Sequence, residues 1–247
     1  MSDLLDLFVA RTYTADDGFM LAYRYFIPAD YDPAKKYPFL LFLHGAGERG
    51  YDNEQQFLNG IRELYDLPDS PLTETVVLVP QCPSGCRWTD TPWENGNYST
   101  AAIPESKPLS AVMHVIDELA AAYNLDEDRF YVTGLSMGGF GTWDVLARHG
   151  DRFAAGMPIC GGGDPDCADA LRQIPIRTFH GDGDGAVPVA GTRAMAAAIT
   201  KNGTNQSARF TYTEFAGMGH AIWSRVYADP DNAAWLFAQK LSDRAAH

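Results

Sequence analysis

Phe130-Tyr131-Val132-Thr133-Gly134-Leu135-Ser136-Met137-Gly138-Gly139 is the stretch from which the fold can be read. Phe130 to Thr133 is a short strand-like run, of the kind a sheet covered on both faces contains. Met137 to Arg148 opens with two glycines and continues through Trp143, Val145 and Leu146 at helical spacing. Between them stands glycine, any residue, serine, any residue, glycine, the pattern of a sharp strand-to-helix turn. The reason for the glycines is crowding. A serine on so tight a turn has a strained backbone, and side chains two residues away on either side would clash. The turn lifts the Ser136 hydroxyl above the sheet and aims a helix N-terminus at it, which favours negative charge developing there.

Outward from this turn, strand-like and helix-like runs alternate, predicting an α/β fold with a mostly parallel sheet and helices on both faces. Phe39 to Leu43 and Val76 to Val79 are continuously apolar, and Ile176 to Phe179 and Phe210 to Phe215 read as later strands. The beginning differs. Phe8 to Thr14 and Met20 to Ile27 flank Asp16-Asp17-Gly18, which predicts an antiparallel hairpin. Helices are expected over Leu109–Tyr123, stopped by Asn124, and over Ala190–Ile199, stopped by Asn202-Gly203. A last helix is expected through Leu241, with Asp231 and Asn232 as caps behind Pro230. Residues 81–107 lack periodicity and are rich in Pro, Gly, Asn and Trp, and loops of that length are usually functional. With no repeat, linker or low-complexity tract, residues 1–247 read as one domain.

The chain of 247 residues is 46 % hydrophobic and 21 % charged, ordinary for a globular domain. Its formal net charge of −13, without a Lys/Arg cluster, argues against nucleic acid and anionic lipid as partners. The acidic start, with no long apolar run after it, predicts no membrane span and a cytoplasmic protein, unless an export signal had been removed beforehand. Cys82/Cys86 and Cys160/Cys167 form two local pairs that could each close a disulfide or remain reduced. Neither pair has zinc-ligand spacing or nearby histidines, so no metal is expected. The oligomeric state is left open.

A serine hydroxyl needs a base, and the base needs an orienting acid. After a nucleophile turn of this kind the chain order is serine, acid, histidine. His220 lies in a glycine-rich loop after the strand Phe210–Phe215, where a mobile base can reach the serine. His149 ends a helix and reads as a cation at the negative end of its dipole; His180, at a strand end, reads as a structural hydrogen-bonding residue. For the acid, Asp182 and Asp184 compete after the strand Ile176–Phe179. Asp182 precedes a glycine and suits a turn, while His180-Gly181, an acid three residues after the glycine and then Val187-Pro188 resemble a hydrolase pattern, and that resemblance selects Asp184. Two N–H donors must meet the tetrahedral intermediate. Met137, after the nucleophile, is one. Ala46, in the small-residue loop after Phe39–Leu43, is the other.

His44-Gly45-Ala46-Gly47-Glu48-Arg49-Gly50, Pro80-Gln81-Cys82-Pro83, the Gly134–Gly139 turn and His180-Gly181-Asp182-Gly183-Asp184 together resemble the prolyl-oligopeptidase-like esterases of the α/β-hydrolase superfamily. That group includes carboxylesterases, feruloyl and acetylxylan esterases and polyhydroxybutyrate-depolymerase-like enzymes. The resemblance implies an eight-stranded hydrolase sheet, no metal or organic cofactor, a Ser136–Asp184–His220 triad, and a small-molecule or polysaccharide-linked ester as substrate. Three rivals are a peptidase on the same triad, another chemistry on the same serine such as thioester hydrolysis or acyl transfer, and a non-catalytic binding module on a hydrolase fold.

Trp88, Trp93 and Tyr98 in the aperiodic stretch, and Trp223 after His220, are expected either to wall the substrate site or to anchor loops on the core. Glu48 and Arg49 are expected to hold the loop of Ala46, with substrate contact as the alternative. No long helical insertion separates the strand ending near Cys160 from the one beginning near Ile174. An open or loop-bordered cleft without a large lid follows.

Overall fold

The computed structural model describes residues 2–201, 207 and 209–246. The strands are β1 Val9–Thr14, β2 Met20–Phe26, β3 Tyr37–Leu43, β4 Val76–Gln81, β5 Leu125–Leu135, β6 Ala155–Ile159, β7 Ile176–Gly181 and β8 Phe210–Phe215. The helices are α1 Ser2–Leu5, α2 Ile61–Tyr65, α3 Lys107–Ala122, α4 Met137–His149, α5 Ala168–Leu171, α6 Val189–Thr200, α7 Trp223–Tyr227 and α8 Pro230–Phe237. All eight strands form one sheet in the order β1-β2-β4-β3-β5-β6-β7-β8. β1 pairs with β2 and β2 with β4 antiparallel, and every pairing from β4 through β8 is parallel. This is the α/β-hydrolase fold, with its N-terminal hairpin on one edge.

Strand periodicity divides the core. Phe39, Leu41 and Leu43 of β3 face one side with Phe130 and Val132 of β5. Leu40 and Phe42 face the other with Tyr131 and Leu135. Helices α3 to α6 cover the first face, and α1, α2, α7 and α8 the second. Both faces are covered by helices, which explains why the central strands read as unbroken apolar runs rather than as alternation.

Some boundaries differ from expectation. β5 is longer than its apolar part, starting at Leu125 in a charged segment. The last helix is capped two residues before Asp231, by Asp229, whose carboxylate accepts the Asp231 N–H at 3.0 Å. Pro230 sits at the first helical position, where its fixed φ fits and no N–H is needed. Asp231 and Asn232 are therefore inside the helix, and it ends at Phe237 because the following chain docks elsewhere. Leu241 donates its N–H to Asp128 O at 2.9 Å. α6 ends at Thr200 with Lys201 in the left-handed region at φ +59°; Asn202 and Gly203 lie outside the described residues. Between β6 and β7 there is only a short turn and the four-residue α5, so no long lid crosses the strand ends there. No helix among the described residues is long and apolar enough to cross a membrane.

Candidate active site

Ser136, Asp184 and His220 follow the C-terminal ends of β5, β7 and β8, the edge at which open α/β sheets bind ligands. Ser136 has φ +55° and ψ −118°, a region that L-residues rarely occupy. What holds it there is the close packing of its neighbours. A β-carbon on Gly138 would lie 1.9 Å from Leu43 O, and one on Gly134 would lie 2.5 Å from Gly138 O. The crowding that the sequence suggested is contact between the turn and the end of β3.

His220 Nε2 lies 2.8 Å from Ser136 Oγ, and His220 Nδ1 lies 2.6 Å from Asp184 Oδ2. The carboxylate can only accept from Nδ1, which places the ring proton on Nδ1 and leaves Nε2 free to accept from the serine. The imidazole is 23 % exposed and the carboxylate 0 %. Asp184 Oδ1 accepts the N–H groups of Ala186 at 2.8 Å and Val187 at 2.9 Å. Burial alone raises the Asp184 carboxyl, but the bonds from His220, Val187 and Ala186 outweigh it and hold the group below its usual range. The acid stays ionised where water cannot reach it.

Asp182 does not touch His220. Its carboxylate accepts the Gly217 N–H at 2.6 Å, and Gly183 N–H donates to Met218 O at 2.9 Å. These two bonds tie the acid's loop to the loop that carries His220. His180 is more than the structural residue its place suggested. Its ring is fully buried, with Nε2 3.0 Å from Asp184 Oδ2 and Nδ1 2.7 Å from Thr192 Oγ1. Two imidazoles thus converge on one carboxylate oxygen. The four-residue spacing from His180 to Asp184 was visible in the sequence, but which way each ring turned was not. Burial pushes the His180 imidazole down, towards its neutral form. His149 is the last residue of α4, at the helix end expected of it, and its Nε2 also lies 2.6 Å from Glu105 Oε1.

Ala46 begins a single turn of 3-10 helix, Ala46–Glu48, and Met137 begins α4. First-position N–H groups have no acceptor within their own helix, so both amides are available to an outside oxygen. The Ala46 loop lies against the serine: a β-carbon on Gly45 would be 3.6 Å from Ser136 Cβ. His44, fully buried, fixes this loop. Its Nε2 accepts the Cys82 N–H at 2.9 Å, so Nδ1 carries the proton and donates to Gly45 O at 2.6 Å. Arg49 Nε donates to Ala46 O at 2.9 Å, and Asn59 donates its amide to the buried Glu48. Glu48 and Arg49 hold the loop, as expected. The Met137 side chain belongs to the core and does not line the site.

The aromatic residues divide. Trp88 is corrected: it is completely buried, its Nε1 donates to His44 O at 3.0 Å, and its ring has no face to offer a ligand. It anchors the long loop to the core. Trp93 is half-buried beside Arg87 and Arg49, and Trp223 is half-buried with its ring 5.5 Å from that of His220. Trp223 Nε1 donates to Asn59 Oδ1 at 3.3 Å, a link from the base's loop through Asn59 to Glu48 that no sequence pattern announced. A groove of about 480 Å³ lies beyond, lined by Phe57, Arg62, Glu63 and Ala228 among others, without any of the three aligned residues. All four cysteines are free thiols. Among the described residues, no three His, Cys, Asp or Glu side chains are grouped as a metal site.

Residues 104–174 match the Prolyl oligopeptidase family, a span that includes Ser136 but not Asp184 or His220. A bifunctional acetylxylan esterase/xylanase, XynS20E of Neocallimastix patriciarum, is 29 % identical over 147 residues, 60 % of this chain and 19 % of that one. A probable feruloyl esterase C of Aspergillus terreus is 26 % identical over 182 residues, 74 % of this chain and 62 % of the relative. The crystal structure of a thermostable esterase superimposes with a TM-score of 0.83 at 35 % identity, covering 95 % of this chain and 64 % of that one. The chain thus spans less than two thirds of each of these proteins.

Proposed function

We propose that this α/β-hydrolase is a serine carboxylic-ester hydrolase acting through an acyl-enzyme on Ser136. The observation that carries the reading is the unbroken hydrogen-bonded line from Ser136 Oγ through His220 to Asp184. His220 Nε2 takes the hydroxyl proton as Oγ bonds to the ester carbon, and the new oxyanion accepts from the amides of Ala46 and Met137. Asp184 stabilises the imidazolium that results. The carbon–oxygen bond to the alcohol then breaks, and the alcohol leaves with the proton from His220. Water attacks the acyl-enzyme, gives a proton to His220, and the acid departs from Ser136, which recovers its proton.

Acetyl or feruloyl esters of plant polysaccharide are the proposed substrates, following the acetylxylan and feruloyl esterases to which the chain is similar. A site without a long lid between β6 and β7 suits an ester attached to a polymer. The peptidase alternative rests on the match to the Prolyl oligopeptidase family. Initial rates on para-nitrophenyl acetate, methyl ferulate, acetylated xylan and an amino-acid anilide separate the two. Ester turnover that falls about 1000-fold or more in Ser136→Ala is expected. Full activity in that variant, or anilide cleavage as fast as ester cleavage, contradicts the esterase.

A further inference from the structure

Two arginines meet over one ring, that of Trp93 in the long loop after β4. The guanidinium carbon of Arg87 lies 4.9 Å from the centroid of the Trp93 ring, and that of Arg49 lies 5.9 Å from it. Arg62, Arg129, Arg148, Arg152, Arg172 and Arg193 each face an Asp or Glu. Arg87 does not: among the described residues its guanidinium has neither a hydrogen bond nor an ion pair, and its Nε is shut off from solvent without a partner. Arg49 spends two of its nitrogens on protein carbonyls, Nε on Ala46 O at 2.9 Å and Nη1 on Cys86 O at 3.2 Å, and Nη2 is left over. Two guanidinium groups meet on one ring with no carboxylate paired to either, and the donors they leave unused can take an anion from outside.

Contacts lead from this cluster to the nucleophile. Gly45 lies against Ser136, its neighbour Ala46 offers the proposed oxyanion amide, and the Ala46 carbonyl holds Arg49. On its other side Trp93 opens a short turn ending at Gly96, whose carbonyl would lie 1.5 Å from a β-carbon on Gly162, just past the end of β6. The cluster therefore spans the rim from the oxyanion loop to the strand beside β5. Contact with Trp93 holds both groups in place; Nη1 and Nη2 of Arg87 can meet a carboxylate with two parallel bonds, and Nη2 of Arg49 adds a further donor.

We propose that Arg87, Arg49 and Trp93 form a subsite for a carboxylate borne by the ester substrate, making this an esterase for anionic esters. The proposal rests on the esterase reading above. Long-range repulsion from the net charge is screened beyond about 8 Å at physiological salt, so recognition of an anion has to be local, as it is here.

Two matched pairs test it at constant ionic strength. Para-nitrophenyl hydrogen glutarate against para-nitrophenyl pentanoate puts the charge on the acyl side. Para-acetoxybenzoate against its methyl ester puts it on the leaving alcohol. The readout is the ratio of kcat/KM, anionic over neutral, within each protein. In one pair Arg87→Gln lowers that ratio about tenfold, as loss of a charged hydrogen bond should, and Arg87→Lys recovers part of it. Unchanged thermal unfolding of both variants shows that the fold is intact. Equal ratios in wild type and Arg87→Gln for both pairs overturn the subsite and leave the esterase standing. If wild type cleaves none of the four esters in a Ser136-dependent manner, the esterase reading fails and the subsite with it.

Discussion

Asp184 keeps a charge in a place closed to water, and does so by filling its acceptor positions. Two backbone N–H groups take Oδ1, and the rings of His220 and His180 take Oδ2. Asp184→Asn replaces an acceptor with an amide that can stabilise the wrong tautomer of His220. We expect kcat on a para-nitrophenyl ester to fall about 10000-fold with KM nearly constant. His180→Ala leaves Oδ2 with one donor fewer; kcat should fall about tenfold, and His180→Gln, which keeps an N–H, should retain more of it. If steady-state kinetics give both His180 variants wild-type kcat, the second imidazole is irrelevant to the acid. Trp88 marks the limit of residue-level reading. An aromatic residue on a long loop satisfies the pattern for a binding wall and for an anchor equally, and only burial separates them.

Elements position these residues by meeting at backbone distance. The β5–α4 turn leans on the end of β3 so closely that Gly138→Ala has nowhere to put a methyl group, since the obstructing atom is the Leu43 carbonyl, which is main chain. Overpacking of this kind costs about 3 kcal/mol, measurable as a lower urea midpoint, and activity should be lost with it. Across the sheet edge, Arg193 of α6 pairs through two bonds with Glu214 of β8, at 2.7 and 2.8 Å. The Arg193 bonds are the main reason the Glu214 carboxyl is held down at about 2, against its ordinary 4.5. A depressed carboxyl stabilises the fold fully above its unfolded pKa and loses that contribution as pH falls through the folded one. Melting temperatures of wild type and Glu214→Gln should therefore differ most above pH 4.5 and converge towards about pH 2. Parallel curves down to that pH would falsify the linkage.

At the scale of the whole molecule, the sheet separates two apolar layers, and its thiols report on both. Cys82 and Cys160 are fully buried, and burial raises their thiols above the ordinary range. Cys86 and Cys167 are half-buried. A thiol reagent should label at most Cys86 and Cys167 in the native protein and all four in denaturant. Rapid native labelling of Cys160 would show that the β6 end opens far more readily than its packing implies.

The succession of strands along the chain and the strand-turn-helix at Ser136 could be read from the sequence because they are local. Periodicity and the steric need for Gly134 and Gly138 act over a few residues. The helix cap at Asp229 was local as well, but neighbouring polar residues offered the same chemistry and hid it. Other features arise only when distant segments meet. The convergence of His180 on the carboxylate that faces His220, the burial of Trp88 and the meeting of Arg49 and Arg87 over Trp93 all depend on how far the loops beyond the strand ends travel. Sequence fixes what a residue can do; tertiary packing decides which group it faces and whether water can compete, and at this site those two facts set the chemistry.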